Sequence, residues 1–270
     1  FGHIEELIAR ERIECGWIRA GYFVGAWSRA HFAPMQKKVD LLNRHSKAEA
    51  YLVPEEKQRE EIGSDFYRGG MVVGRAGHLH PALYFKGLLD LAQREKTKIL
   101  TRTQVLSLAQ SKGSIDVVTS RGTIKARDVI VATNGYTGDA TPDFKRRVVP
   151  IGSYIIATEE LSEDLAKALS PRNRSIADTQ RVLSYYRLSP DGKRMIFGGR
   201  AKFSPTDPKE AAPILYKMMT DRFPALRGTR ISHAWTGNVA FTIDELPHMG
   251  KFENVHYALG FNGSGVAMMS

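Results

Sequence analysis

The residues best placed to do chemistry in this sequence are clustered glycines and a few arginines, not acid–base pairs. Gly260, Phe261, Asn262, Gly263, Ser264, Gly265 and Val266 follow a short apolar run and lead into another. Glycines there permit positive φ and let a ligand approach the backbone, while the free N–H groups of a helix start favour a negative or acceptor atom. A flavin O2 edge or a pyrophosphate suits such a turn; a ligand-free glycine-rich turn suits it equally. Val129–Gly138 (VIVATNGYTG) is a β-branched run that emerges into the small residues Ala132, Thr133 and Gly135. Open α/β sheets bind ligands at that kind of strand exit, although a plain strand-to-loop exit has the same composition. In Trp235–Gly250, Gly237 and Thr242 can line a planar ring with Trp235 as a wall, or the segment is a strand, a turn and an exposed carboxylate, Asp244.

Arginines supply the other candidate chemistry. Tyr185, Tyr186 and Arg187 precede a Pro-Asp-Gly turn, and Gly198, Gly199 and Arg200 follow it. Alternation puts Tyr185 and Arg187 on one face and Tyr186 on the other. The planar fork of Arg187 or Arg200 could clamp a carboxylate. His78 and His80 in GHLHP lack a second cluster at metal-ligand spacing, so a structural or supporting hydrogen-bond role is expected and no metal. The sequence contains no P-loop, HExxH, GxSxG or complete GxGxxG.

Composition bounds these possibilities. The 270 residues are 42% hydrophobic and 25% charged, as in an ordinary globular protein. No apolar run approaches the ~20 residues of a membrane span. The net charge of +10 favours acidic ligands, but the basic runs Lys145–Arg147 and Pro171–Arg174 are short and have no interleaved aromatic platform, so no nucleic-acid partner is expected. A single cysteine, Cys15, excludes a disulfide framework and fits a reducing, cytoplasmic setting.

The elements that must hold these residues follow from periodicity. Helices are predicted over His3–Glu14, Ser28–His45 (with Phe32, Met35, Val39 and Leu42 on one face), the charged run after Pro54 up to Gly63, Ala82–Glu95, Leu161–Leu169 and Lys209–Phe223. Strands are predicted over Tyr51–Val53, Phe66–Val73, Lys98–Leu100, Thr103–Leu108, Ile115–Thr119, Thr123–Ala126, Val148–Thr158, both arms of the Pro-Asp-Gly hairpin, Ile231–Thr242 and Val255–Leu259. Asp128–Thr133, apolar over Val129–Ala132, is expected to be a buried central strand.

Taken in order, GHLHP, Thr103–Val105, VIVATNGY, YYRLSPDGKRMIFGGR, AWTGNVAFTIDELPHMG and ALGFNGSGV resemble the D-amino-acid-oxidase-like FAD-dependent oxidoreductases. The resemblance is carried by residues 66–270. It implies an α/β fold with an α+β insertion: a partial Rossmann-like FAD-binding domain and a substrate domain with a mixed, largely antiparallel sheet that roofs the isoalloxazine. The implied boundaries are 1–77 for helices and first strands of the substrate domain, 78–147 for part of the FAD-binding domain, 148–248 for the substrate domain and 249–270 for a return to the FAD-binding domain. By position, Val105 meets the adenine end of FAD, Ala132, Thr133 and Gly135 lie near pyrophosphate and ribose, and Gly237 with Gly260–Val266 cradles the isoalloxazine. Tyr186, Arg187, Arg200 and Trp235 become substrate-facing positions. The implied reaction is oxidation of a C–N bond of an amine or amino acid by hydride transfer to flavin N5. FAD is expected to be non-covalent, because Cys15 lies far from the carboxy-terminal half. The family's amino-terminal GxGxxG segment and closing helix have no counterpart here, so the 270 residues are expected to be an inactive piece. The rival expectation is a non-catalytic binding or scaffold domain that keeps the fold without flavin.

Overall fold

Strand alternation, with one face buried under helices, builds most of this protein. The computed structural model describes residues 2–200 and 206–269. In chain order the elements are α1 (Gly2–Glu11), β1 (Tyr22–Gly25), α2 (Arg29–Phe32), α3 (Met35–His45), β2 (Ala50–Val53), β3 (Gly70–Val73), α4 (Pro81–Arg94), β4 (Val105–Ser111), β5 (Ser114–Thr119), β6 (Gly122–Ala126), β7 (Val129–Val131) and α5 (Pro142–Lys145). The chain continues through β8 (Val149–Thr158), α6 (Glu163–Leu169), β9 (Ser175–Asp178), β10 (Ser184–Leu188), β11 (Met195–Gly199), α7 (Pro208–Arg222), β12 (Ile231–Phe241), β13 (His248–Phe252), β14 (Val255–Leu259) and α8 (Gly265–Met269). It divides into two compact units, residues 1–91 with 153–236 and residues 92–152 with 237–270.

The first unit holds most of an eight-stranded sheet of order β12-β8-β11-β10-β9-β1-β3-β2. The pairing is antiparallel at β2–β3, β1–β3, β9–β10, β10–β11 and β8–β11 and parallel at β1–β9, so the sheet is mixed and largely antiparallel. One face carries Phe23, Val72, Ile156, Ile176, Tyr186 and Phe197 into a core completed by Leu169 of α6 and Leu215 and Met219 of α7. Each such side chain fully buried is worth roughly 1.5–3 kcal/mol. Ser162 caps α6 by accepting from Leu165 N, and Asp207 caps α7 by accepting from Lys209 N. On the opposite face α3 lays Met35 and Val39 over Ala50 and Met71.

The second unit contains the meander β4-β5-β6 and a three-stranded sheet of order β13-β14-β7. β7 and β14 run parallel, with Val129 opposite Val255 and Val131 opposite Tyr257. Its core is small: Ile115, Val131 and Val255 form one cluster, and Val148, Ala240 and Leu259 another.

Several expectations change on meeting this structure. The helix predicted over Ser28–His45 breaks in two, because Pro34 has no N–H for the ladder and becomes the cap of α3. The run after Pro54 is a short 3-10 turn over Glu55–Glu60, whose one buried side chain is Gln58; without an apolar stripe nothing holds a longer helix. The strand predicted from Phe66 starts only at Gly70, after Gly69 at φ +82° interrupts extension. Lys98–Leu100 is not a strand; Ile99 and Leu100 are exposed and find no partner. Among the described residues β7 lies at the edge of its sheet rather than at its centre, with Ile130 73% exposed. The units part after residues 91, 152 and 236, against expected divisions after 77, 147 and 248. α4 goes with the first unit because its Tyr84 packs in one cluster with Ile4, Leu7, Cys15 and Leu79.

Candidate functional site

In the second unit, three sequence-distant turns lock together around glycines. Beyond β7 the chain enters a 3-10 turn at Asn134–Tyr136, with Asn134 at φ +44°, a conformation Asn tolerates better than most residues. Its Oδ1 accepts from Gly260 N at 3.0 Å. Gly135 is buried, and a Cβ there would stand 2.6 Å from the Asn238 carbonyl oxygen, so only glycine fits. The Tyr136 hydroxyl accepts from Asn238 N at 3.1 Å, beside Gly237. The turn after β14 is held by Asn262, whose N–H donates to Ala240 O at 3.0 Å and whose Nδ2 donates to Gly260 O at 3.0 Å. Thr242 N in turn donates to Asn262 Oδ1 at 3.3 Å. Gly260, at φ +75°, faces the Thr242 methyl, where a Cβ would come within 2.3 Å.

Gly263 differs from these. It stands at φ +91° with nothing within 4 Å of where a Cβ would be. The turn there is fixed at its base and open at its tip, and Ser264 N closes it by donating to Phe261 O at 2.8 Å. The structure therefore brings together Gly135, Gly237 and Gly260–Val266. Ala132 and Thr133 are exposed at the β7 exit, with the Thr133 hydroxyl 2.9 Å from that of Thr137. Val105 belongs to the meander, where it opens β4 opposite Thr119. Asp244 binds Leu246 N and also His248, and the His248 hydrogen bond followed by the Leu246 N–H holds its carboxyl at about 2.

In the first unit the substrate-facing candidates separate. Tyr186 is a core residue, 3% exposed, stacked on Phe197 and hydrogen-bonded to the Tyr67 hydroxyl at 2.7 Å. That corrects the expectation that it faces substrate: its side of β10 is the one covered by α7. Tyr67 also bonds Asp178, and Arg222 Nη2 donates to Asp178 at 2.7 Å, both charges being almost wholly buried. Burial pushes the Tyr67 and Tyr186 phenols above the ordinary range, so both stay neutral.

Tyr185 and Arg187 occupy the other face. Tyr185 lies against Gly198 and bonds the Ser153 hydroxyl; burial raises its pKa, while Ser153 and the Arg200 charge work against that. Arg187 Nη2 donates to Leu79 O at 2.8 Å, but its buried Nη1 has no partner. Burial lowers its pKa. His78, 7% exposed and 3.2 Å from the Ser175 hydroxyl, is driven down to about 4 by burial and then by the Arg187 charge. Trp235 is 41% exposed on β12. Tyr185 and His78 were not among the expected substrate positions. The alternation that pairs Tyr185 with Arg187 was the available signal for the first, whereas nothing in GHLHP announces a neutral, buried imidazole.

The fold is one shared with solved oxidoreductases of small amino acids. The chain superposes on glycine oxidase from Geobacillus kaustophilus with a TM-score of 0.82 at 15% identity, over 98% of this chain and 71% of that one. L-proline dehydrogenase from P. horikoshii gives 0.82 at 18% identity, over 98% and 73%. At the level of sequence, residues 1–270 match the model of the FAD dependent oxidoreductases, and the chain belongs to that family. It is 32% identical over 265 residues to gamma-glutamylputrescine oxidoreductase of Escherichia coli, and 31% identical over 275 residues to the probable oxidoreductase OrdL of Haemophilus influenzae. These alignments cover 97% and 98% of this chain and 62% of each relative, so the chain spans less than two thirds of their length.

Proposed function

We propose that this chain supplies the substrate-binding unit and part of the flavin-binding unit of an FAD-dependent enzyme that oxidises a C–N bond of a small-molecule amine or amino acid. The observation that carries the cofactor assignment is the turn at Gly263, locked at its base by Asn134 and Asn262 and open at its tip. Residues that close can be approached by a planar ring, and the fit is that of a cradle which a Cβ would fill. Gly135, Gly237 and Gly260–Val266 would hold the flavin, with Ala132, Thr133 and Val105 along the rest of FAD.

Held by those residues, FAD would supply the hydride-accepting chemistry needed to oxidise a C–N bond to an imine. The chain's own residues bind and orient. Arg187 is the carboxylate clamp: a guanidinium held out of water with one N–H pair unmatched gains most from an anion. Alternation puts Arg200 and Tyr185 on the same face, and the desolvation that raises the Tyr185 pKa would there favour the neutral amine that hydride loss requires. The orphan Nη1 is what favours a carboxylate-bearing substrate over a simple amine. FAD is held non-covalently in this reading, since Cys15 is 1% exposed and burial raises its thiol pKa, leaving it a poor nucleophile. No described helix is long and apolar enough to cross a membrane. That the chain has a single, buried cysteine is what supports a cytoplasmic setting in this reading.

The test is retention of visible flavin absorption after the chain is incubated with FAD and desalted. FAD is expected to be retained by a version of the chain extended at both ends, to leave it on acid precipitation, and to be lost on Gly263→Val, while the 270 residues alone, holding part of the flavin-binding unit, retain less or none. A colourless extended version with a native far-UV spectrum would overturn the cofactor assignment and favour a non-catalytic binding domain.

A further inference from the structure

The face of the large sheet that carries Arg187 continues past it towards the strands covered by α3. Register places Tyr185 opposite Ala177, Ala177 opposite Val24, and Val24 opposite Met71, so these four form one row across β10, β9, β1 and β3. At about 4.8 Å between strands, Val24 stands roughly 10 Å from Tyr185. Arg187 continues the neighbouring row, on the same face as Ser175 and Tyr22.

Val24 and Met71 floor a groove of about 490 Å³ walled by Ala30, Pro34, Met35 and Leu41 of the α2–α3 segment. That volume lies in the range of small-molecule sites. Its polar groups are few. His31 Nδ1 sits 2.7 Å from the Thr179 hydroxyl, which fixes the ring against the groove, and Lys37 and Lys38 form the rim. Both lysines are exposed and lack an ion-pair partner among the described residues. They also occupy the first turn of α3, which has no acidic residue and no side-chain cap. Cations are disfavoured at that end of a helix, so local stability does not account for them.

We propose that this groove receives the far end of the substrate, an aliphatic chain ending in a carboxylate that Lys37 and Lys38 hold. The apolar floor suits methylenes, the lysine rim suits the acid, and the roughly 10 Å from Tyr185 to Val24 along the row sets the length. Lys37, Lys38 and His31 thereby determine specificity. The proposal rests on the reading above, in which the Arg187 face carries substrate.

The test uses calorimetric titration of the whole chain with octanedioate, octanoate and 1,8-diaminooctane, with flavin retention recorded on the same preparations. The dicarboxylate is expected to bind tightest and the diamine weakest. Lys37→Glu combined with Lys38→Glu, both on exposed side chains, is expected to weaken the dicarboxylate by about tenfold and bring it level with octanoate. Leu41→Lys, at the groove wall, is expected to weaken both acids. Equal binding of all three probes, or an unchanged dicarboxylate affinity in the charge-reversed variant, would overturn the proposal. Loss of flavin alone would count against the cofactor reading and leave the groove result to stand by itself.

Discussion

The two units solve the problem of polar groups in opposite ways. In the first, Arg222, Asp178, Tyr67 and Tyr186 are sealed inside the core and satisfy one another, with Arg222 also lying over the Phe66 ring at 4.5 Å. In the second, the Gly260–Val266 turn is tied down by Asn134 and Asn262 but keeps its tip at Gly263 clear. The second unit also exposes more apolar surface, with Ile243 96%, Ile130 73% and Phe252 70% exposed. A closed network makes a rigid scaffold; an open turn on a small core makes a surface that gains from being covered.

The largest expected effect breaks the closed side of this contrast. Arg222→Met leaves the Asp178 carboxylate buried and unpaired, and should cost about 3–5 kcal/mol in denaturant unfolding. A loss below about 1 kcal/mol would mean that water reaches the network. Next comes the pH dependence of His78, whose folded pKa of about 4 lies below its ordinary 6.5. Its contribution is complete above pH 6.5 and is lost as pH falls towards 4, because the unfolded chain takes up the proton first; the full loss is roughly 3 kcal/mol. His78→Gln should flatten that part of the stability profile, and parallel profiles for the two proteins would count against a neutral buried ring.

Smaller effects sharpen the comparison between glycines. Gly198→Ala places a methyl 2.1 Å from the Tyr185 ring and should destabilise by about 1–3 kcal/mol. Gly263→Ala meets no atom and pays only for its positive φ, about 1 kcal/mol, measurable as a small fall in midpoint. Equal costs at the two positions would remove the distinction between a packed and an open glycine.

Much of the scaffold was readable because its signals are local. The Pro-Asp-Gly turn announces β10–β11, Pro81 opens α4, and Ser162 with the following acids starts α6. β1 and β9 escaped because each is four residues long and they pair in parallel across about 150 positions, a contact no local pattern reports. β13 escaped because Gly250 and Lys251 interrupt its alternation. At the site, glycine spacing pointed to the turn and to Asn262 within it, whereas Asn134 locks it through a contact 126 residues away. Alternation separated Tyr185 from Tyr186, but which face α7 would bury is decided by packing.

The parallel pairing of β7 with β14 has a consequence for how the chain is made. Val131 shares its cluster with Val255, yet 124 residues separate them, and the first unit's second segment lies between. At synthesis rates of about 5–20 residues per second, Val131 waits on the order of ten seconds at the ribosome before its partner exists. The hairpin-rich segment in between can fold in that interval, so this topology makes the second unit close only after the first has been synthesised.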